Sequence, residues 1–263
     1  MLRSLWTSAT GMQAQQRNID VISNNLANVN TTGFKRSRAD FQDLLYQNLR
    51  AAGAATSQAG TAVPVGIQLG HGVRNVSVSK LFTQGDYVQT GNELDLAIEG
   101  QGFFQITLPD GQTAYTRDGT FKLDNTGQMV TSDGYVLQPG ITLPQDAMAV
   151  AIEPSGIISV KQPGTAALAQ LGQLQVADFI NPAGLTAIGR NLYTESEASG
   201  AAVAGNPNEN GFGAIQQGFL EMSNVNMVEE MVQMIASQRA YELNSKSIQT
   251  SDSMLGTIGS LKR

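Results

Sequence analysis

The chain has an apolar stripe with helical spacing at each end, and the long segment between them has the signals of β-structure. In both stripes the apolar residues recur in steps of three and four, which places them along one face of a helix, as in a coiled coil. We therefore predict that the two ends form long helices that pair as an antiparallel coiled coil. The N-terminal stripe is Leu5, Ala9, Met12, Gln16, Ile19, Ile22 and Leu26, and the C-terminal stripe is Met227, Met231, Met234, Gln238, Tyr241, Ile248 and Leu255.

Three positions of these stripes are polar. Gln16, Gln238 and Ser245, which falls between Tyr241 and Ile248, lie where an aliphatic side chain would stabilise a helix pair more strongly. Polar residues in such a seam trade stability for register and choice of partner. The ends of an isolated chain are therefore predicted to be weakly ordered, and to become ordered when many chains pack together.

From about Val73 to Gly218 the sequence predicts short antiparallel strands. Turn dipeptides recur about every eight residues and mark hairpins. The predicted fold class is therefore α+β, with a barrel-like or sandwich-like β-module between the two helices. The turn signals are Asp110-Gly111, Asp118-Gly119, Asn125-Thr126-Gly127 and Asp133-Gly134.

Four segments follow from these patterns. Residues 1–30 form the first helix, 31–72 a connector, 73–218 the β-rich domain, and 219–263 a return connector with the second helix. Within the connector, residues 51–70 are rich in Gly, Ala, Ser and Thr and contain Gly53, Gly60, Pro64 and Gly66. This composition fits either a flexible linker or an extended hairpin that becomes ordered only against neighbouring subunits.

Composition excludes several classes of function. Only 14% of the residues are charged, and the one basic cluster, Lys35, Arg36 and Arg38, has no interleaved aromatic residues, so we expect no binding of nucleic acid. The longest apolar run, 147–152, is too short to cross a membrane, so no direct membrane insertion is expected. The first residues lack the apolar region of a cleaved secretory signal. The chain is therefore expected to stay in the cytosol or to leave by another export route.

The sequence has no recognisable catalytic constellation. His71 is the only histidine and there is no cysteine, so histidine-based triads and Cys/His metal clusters cannot form. The segment Gly100-Gln101-Gly102 lacks the third glycine of a dinucleotide loop, and the aspartates of the β-module lie mostly in turns. We expect no enzyme activity, no cofactor and no metal.

Two long motifs resemble those of a known family. Residues 22–35 read ISNNLANVNTTGFK, residues 223–231 read SNVNMVEEM, and residues 238–242 read QRAYE. These segments are similar to the two signatures of the bacterial flagellar rod and hook family. Length and the segments 99–105 and 115–119 make the chain most similar to the members that build the distal rod. The residues that carry the first motif are Asn24, Asn25, Asn28, Asn30, Thr31, Gly33 and Phe34.

The resemblance implies a structural subunit of a rigid, hollow, helical tube that crosses the periplasm and transmits torque. The paired terminal helices would form the inner tube and the β-module the outer layer. The 51–70 segment, with Gly53, Gly60, Pro64 and Gly66, would lie between subunits and keep the rod straight. The implied partners are further copies of the chain, the proximal rod protein, the hook protein, the P-ring and L-ring proteins, and the flagellar type III export apparatus.

Three other interpretations compete with this one. The chain could be a proximal rod subunit, which is similar in sequence. It could be a surface β-module on a coiled-coil stalk that forms a small closed oligomer. It could also be a carbohydrate-active β-enzyme, which would require a cleft with paired carboxylates.

Overall fold

A computed structural model describes residues 2–53, 64–163 and 169–261 of the 263-residue chain. Its helices are α1 (Leu2–Ala27) and α2 (Met227–Leu261), with a 3-10 turn at Pro182–Gly184. The strands before residue 100 are β1 (Ser37–Asp43), β2 (Tyr46–Arg50), β3 (Ile67–Gly70), β4 (Val73–Lys80), β5 (Tyr87–Gln89) and β6 (Leu96–Glu99). Then follow β7 (Phe103–Thr107), β8 (Thr113–Thr116), β9 (Lys122–Leu123), β10 (Met129–Val130), β11 (Val136–Leu137), β12 (Ala149–Ile152) and β13 (Ile157–Lys161). The last strands are β14 (Ala169–Gln173), β15 (Val176–Asp178), β16 (Thr186–Gly189), β17 (Leu192–Thr194), β18 (Val203–Gly205), β19 (Ala214–Gln217) and β20 (Phe219–Glu221).

The arrangement of one helix at each end and strands between them confirms the predicted α+β class. The first helix ends at Ala27, three residues before the predicted limit of residue 30, because several asparagines there favour turns over helix. Within the described part of the chain, neither helix has a segment that is apolar and long enough to span a bilayer.

The chain divides into two compact units. The helical unit comprises residues 1–26, 37–79 and 227–263, and the β-unit comprises residues 27–36 and 80–226. In the helical unit, β1 pairs with β4, and β2 pairs with β3 in an antiparallel hairpin. The two arms of that hairpin flank residues 54–63, which lie outside the described residues, as does Gly60.

The β-unit is built around one large sheet. Its strands follow the order β16-β17-β8-β7-β11-β10-β9, and β15 joins this sheet through β7 and carries β18. Smaller sheets are formed by β12-β13-β14, by β19-β6 and by β20-β5. Among the described strands no sheet closes on itself, so the barrel that the sequence allowed is wrong for this part of the chain.

Three of the four predicted hairpin turns are present. The turns at 110–111, 125–127 and 133–134 join β7 to β8, β9 to β10 and β10 to β11. The fourth, Asp118-Gly119, joins strands that do not pair with each other. Its glycine instead packs against another strand, since a Cβ on Gly119 would lie 1.6 Å from the carbonyl oxygen of Leu96. Here a turn dipeptide marked a close approach of two backbones rather than a hairpin.

Two apolar clusters form the core of the β-unit. The larger cluster includes the fully buried side chains of Phe104, Ile106 and Ile158. The smaller one is aromatic, with Phe103 and Tyr115 both packed edge-to-face on Phe179 at centroid distances of 5.7 and 4.8 Å. Edge-to-face pairs add to the free energy gained from burial alone. The unit therefore contains its own hydrophobic core.

Candidate assembly surface

The facing sides of α1 and α2 are joined by small and polar side chains. The contacts run in opposite directions along the two helices, since low residue numbers of α1 meet high numbers of α2. The side chains that form these hydrogen bonds are serine, asparagine and glutamate. They join Ser4 Oγ to Ser251 Oγ (3.1 Å), Ser8 Oγ to Ser247 Oγ (3.1 Å), Asn18 Nδ2 to Ser237 Oγ (2.8 Å) and Asn25 Nδ2 to Glu230 Oε2 (3.1 Å).

A glycine lies in the middle of this polar seam. A Cβ on Gly11 would lie 3.0 Å from the Asn244 amide nitrogen, a distance that would require the Asn244 side chain to shift. Gly11 therefore permits the close approach of the two helices at this level. The seam was not predicted from the sequence, because serine, asparagine and glycine are not part of an apolar pattern.

The predicted stripe residues lie beside the seam or away from it. Ile22 is the one stripe member that is buried. Those that are half-buried are Leu5, Met12, Ile19, Leu26, Met234, Ile248 and Leu255, and those that are exposed are Ala9, Gln16, Met227, Met231, Gln238 and Tyr241. Contacts within the helical unit thus leave much of both stripes accessible.

Two apolar surfaces of the helical unit are open to solvent. On α2, Met231, Val232 and Ile235 are 50%, 62% and 57% exposed. The β2–β3 hairpin and its flanks expose a second set of large apolar side chains: Leu45, Tyr46, Leu49, Val65, Ile67 and Leu69. Contiguous exposed apolar surface of this kind is typical of a protein–protein interface.

Three of the four glycine and proline positions predicted to stiffen an assembly are described, and they lie between β2 and β3. Gly53 has a positive φ of 81°, and Pro64 is exposed. Gly66 is held close to the opposite arm, since a Cβ there would lie 2.5 Å from the carbonyl oxygen of Arg50. The hairpin therefore tolerates no side chain at position 66 without a shift of its backbone.

Two asparagines of the motif at the end of α1 form hydrogen bonds with backbone atoms. Asn25 is 1% exposed, and its amide accepts a hydrogen bond from Ser37 N and donates one to Ser37 O, both at 2.9 Å. With its bond to Glu230, this side chain ties α1 to the start of β1 and to α2. Asn28 accepts hydrogen bonds from Thr31 N (3.1 Å, at its carbonyl) and Thr31 Oγ1 (3.2 Å), while Asn24 and Asn30 have exposed side chains.

Gly33 of the motif has a backbone conformation and close neighbours that both favour glycine. Its φ is 66°, in the left-handed region, and it lies six residues beyond the end of α1. Its N–H donates to the Glu221 carbonyl at 2.8 Å, and a Cβ would lie 2.6 Å from Asp118 N. The adjacent Phe34 is buried, with the Lys80 ammonium 4.9 Å from its ring centroid.

A buried charge cluster lies next to this glycine. Lys35 Nζ and Glu221 Oε1 are 2.5 Å apart with both side chains 0% exposed, and Arg117 Nη1 lies 3.3 Å from Glu221 Oε2. Glu221 Oε1 also accepts a hydrogen bond from Gly85 N at 3.0 Å. Desolvation lowers the pKa of Lys35 and that of Arg117, and in both cases the Glu221 carboxylate opposes the shift. One carboxylate thus compensates two buried cations.

Asn224 completes the link between the two sequence motifs. Its Oδ1 accepts from Arg36 N at 2.7 Å, and its Nδ2 donates to Leu81 O at 2.9 Å. Helix α2 begins only at Met227, so Asn224 lies before its first turn. Residues 33–36 and 221–224 therefore meet inside the β-unit. Glu221 stands out in the sequence as a lone charge in an uncharged segment, but its pairing with Lys35 was not predictable from either segment alone.

The described residues also bear on the question of a metal site. Among the described residues no group of three or more His, Cys, Asp or Glu could hold a metal ion. A pocket of about 570 Å³ is lined by loops around Glu93, Asp124 and Met148. The Glu93 carboxylate there accepts a hydrogen bond from Val150 N at 2.9 Å.

The chain is similar to known flagellar proteins. Residues 5–35 match the family described as "Flagella basal body rod protein", residues 97–160 match "Flagellar hook protein FlgE/F/G D1 domain", and residues 216–261 match "Flagellar basal body rod FlgEFG protein C-terminal". Proteins named "Flagellar basal-body rod protein FlgG" from Borreliella burgdorferi and Caulobacter vibrioides are both 51% identical to the chain. The matches cover 100% and 99% of this chain and 100% of each relative. The Bacillus subtilis protein of the same name is 44% identical over the full length of both chains. The chain therefore belongs to the flagellar basal-body rod protein family.

Proposed function

We propose that this chain is a structural subunit of the flagellar distal rod, and that copies of it assemble into a rigid, hollow, helical tube that transmits torque. The observation that carries the proposal is the exposed apolar surface of α2 and of the β2–β3 hairpin in a chain whose relatives are rod proteins along their full length. Burial of such surface against further copies favours open-ended assembly.

The terminal helices are proposed to act as an antiparallel coiled-coil pair at the assembly surface. The seam of serine, asparagine and glycine side chains supports this pairing, and the accessible stripe residues supply apolar surface for neighbouring copies. In the tube, residues 1–30 and 219–263 belong to the inner layer and residues 73–218 to the outer layer, with 31–72 as connector.

The hairpin is proposed as the stiffening element of the rod. Its paired arms present apolar side chains on a narrow two-stranded ribbon, and isolated ribbons of this kind are only marginally stable in water. Contact with neighbouring subunits would stabilise it and would restrict bending between them.

The proposed partners follow from the same function. A rod subunit contacts its own copies, the proximal rod protein, the hook protein, and the P-ring and L-ring proteins around the rod in the periplasm. It reaches its place through the flagellar type III export apparatus without insertion into the membrane. The role is structural rather than enzymatic and needs no cofactor or metal.

Electron microscopy of basal bodies from a strain that lacks this chain tests the proposal. The expected result is a truncated rod without a hook, restored when the full-length chain is supplied. Loss of the entire rod would indicate a proximal subunit instead. Complete rods with hooks in the deletion strain would contradict a role in the rod. A stalk-borne surface module predicts a small closed oligomer by light scattering, and the full-length likeness to rod proteins disfavours it.

A further inference from the structure

We infer that a pocket of the helical unit lined by two arginines binds a carboxylate group from a second copy of this chain. The inference rests on the proposed function, because it requires that copies pack together. The pocket has a volume of about 260 Å³ and lies between α1 and β4. Its polar lining comes from Thr10, Gln13 and Arg17 on α1, and from Arg74 and Asn75 on β4.

The two walls of the pocket are held together by direct contacts. Thr10 Oγ1 accepts a hydrogen bond from Val73 N at 3.4 Å, and a Cβ on Gly72 would lie 2.2 Å from the same oxygen. The glycine therefore lets the start of β4 approach α1 closely. Because Thr10, Gln13 and Arg17 are spaced by three and four residues, they share one face of the helix. The gap that Arg17 and Arg74 border is thus a feature of the fold rather than a chance opening between mobile loops.

The charges of this pocket are not compensated within the described part of the chain. Arg17 has no hydrogen bond or ion pair with any residue that the structure describes. Arg74 Nη2 donates to Gln42 Oε1 at 3.1 Å, and that amide is neutral. No aspartate or glutamate is among the described residues that line the pocket. Two guanidinium groups on one small cavity repel each other unless an anion lies between them, and their planar donors fit a carboxylate.

The acidic residues of the helical unit near the pocket are engaged elsewhere or lie outside the lining. Asp40 accepts hydrogen bonds from Arg38 Nε at 3.1 Å and Ser77 Oγ at 3.0 Å. Asp20, one turn after Arg17 on α1, does not line the pocket. The missing carboxylate is therefore expected from outside this unit.

Charge complementarity selects the second copy as its source. The residues of the β-unit include fifteen Asp and Glu against seven Lys and Arg, whereas those of the helical unit include seven against nine. An acidic β-unit on one copy and an uncompensated basic pocket on the next form a heterologous, repeating contact. Such a contact would fix the register between copies more than it would contribute affinity.

Cross-linking within assembled rods tests this contact. Full-length chains with Arg74→Lys or Arg17→Lys, half of them isotopically labelled, are polymerised together and treated with a carbodiimide, which joins an amine to a carboxylate in contact with it. The expected product is a mixed-label peptide pair that links the introduced amine to an Asp or Glu of residues 80–226. Cross-links confined to a single copy, or none at this amine while Lys246 reacts elsewhere, would overturn the inference.

Charge reversal gives a second measurement on the full-length chain. We expect the double variant Arg17→Glu/Arg74→Glu to assemble about tenfold more slowly, with an unchanged circular dichroism spectrum, because steering charges act mainly on association rate. Lys122→Glu/Arg190→Glu, at two exposed sites of the β-unit, changes the net charge by the same amount; it serves as the control and should assemble at nearly the wild-type rate. Equal rates for all three proteins refute the pocket contact. A wild-type chain that never polymerises refutes the proposed function first, and the contact with it.

Discussion

In the β-unit, phenylalanine, isoleucine and leucine side chains are buried against each other, whereas the facing sides of the two helices meet through serine, asparagine and glycine. The helices keep Met231, Val232 and Ile235 in contact with solvent. Burial of apolar surface is the main favourable term in folding, so the β-unit gains most of its stability within one chain. The helical unit leaves part of this free energy available for contacts between chains. The same polypeptide thus combines a unit that buries a core within one chain with a unit that exposes apolar surface, which we propose as the assembly element.

The buried charge cluster gives the largest effect expected in the β-unit. Glu221→Gln removes the carboxylate that compensates Lys35 and Arg117, and uncompensated buried charges cost about 3–5 kcal/mol. Urea unfolding, followed by far-UV circular dichroism, measures the change in unfolding free energy. Glu242→Gln, in an exposed pair with Arg239, is the control and should cost about 0–1 kcal/mol. Equal losses for the two variants would contradict a special role of the cluster.

The same cluster sets the limits of a stable fragment. A fragment of residues 75–220 lacks both Lys35 and Glu221 and leaves Arg117 without its carboxylate, whereas residues 27–226 retain all three. We expect the longer fragment to be more stable by about 3 kcal/mol or more. The midpoints of urea unfolding compare them, and a shorter fragment of equal stability would show that the cluster is dispensable.

A smaller loss is expected from the glycine of the family motif. Gly33→Ala places a Cβ 2.6 Å from Asp118 N at a φ of 66° and should cost about 2–4 kcal/mol, the sum of a left-handed conformation and a steric shift. Gly134→Ala is the matched control, since its φ is 85° and a Cβ there meets nothing within 4 Å. It should cost about 1–2 kcal/mol. Thermal unfolding of the two variants separates strain from close contact, and identical melting temperatures would exclude the contact.

Alkaline pH provides a third test of the β-unit. Burial raises the pKa of the Tyr193 hydroxyl to about 12, above the value of 10.0 for free tyrosine. This contribution to stability is fully present below pH 10 and is lost as the pH rises from 10 to about 12, because the unfolded chain ionises first. Between pH 10 and pH 12, the unfolding free energy of Tyr193→Phe should therefore fall by about 2 kcal/mol less than that of the wild type. Unfolding curves of both proteins from pH 9 to pH 12 check it, and parallel curves would be the contrary outcome.

The helical unit is expected to respond in the opposite manner. Met231→Ser and Ile235→Ser, at exposed sites on α2, should change the unfolding free energy of the chain by less than about 0.5 kcal/mol. They should nevertheless reduce assembly strongly, because each removes apolar surface that a neighbouring copy would bury. Light scattering during polymerisation measures this, with Glu242→Gln as a control on the same helix. Normal assembly of both serine variants would remove the exposed face from the proposed interface.

Local patterns predicted the elements of the fold but not all of their contacts. The helical spacing of Ile22 and its neighbours and the turn signals at 110–111 and 133–134 were sufficient for the α+β class and for three hairpins. Asp118-Gly119 carried the same signal and formed a different structure, since a dipeptide does not encode what packs against it. The hydrogen-bonded seam between α1 and α2 was missed for a similar reason, because an apolar pattern does not include the serine and asparagine side chains that form it.

The sequence by itself determined the helices at both ends, the strand-rich middle and the likeness to flagellar rod proteins, because periodicity, turn chemistry and motifs are local properties. Only the tertiary structure decided that Lys35 and Arg117 share the carboxylate of Glu221, and that Asn25 joins α1 to β1 and α2. These contacts join residues that are distant in the chain. Their free energy depends on burial and geometry, which arise only when the chain has folded.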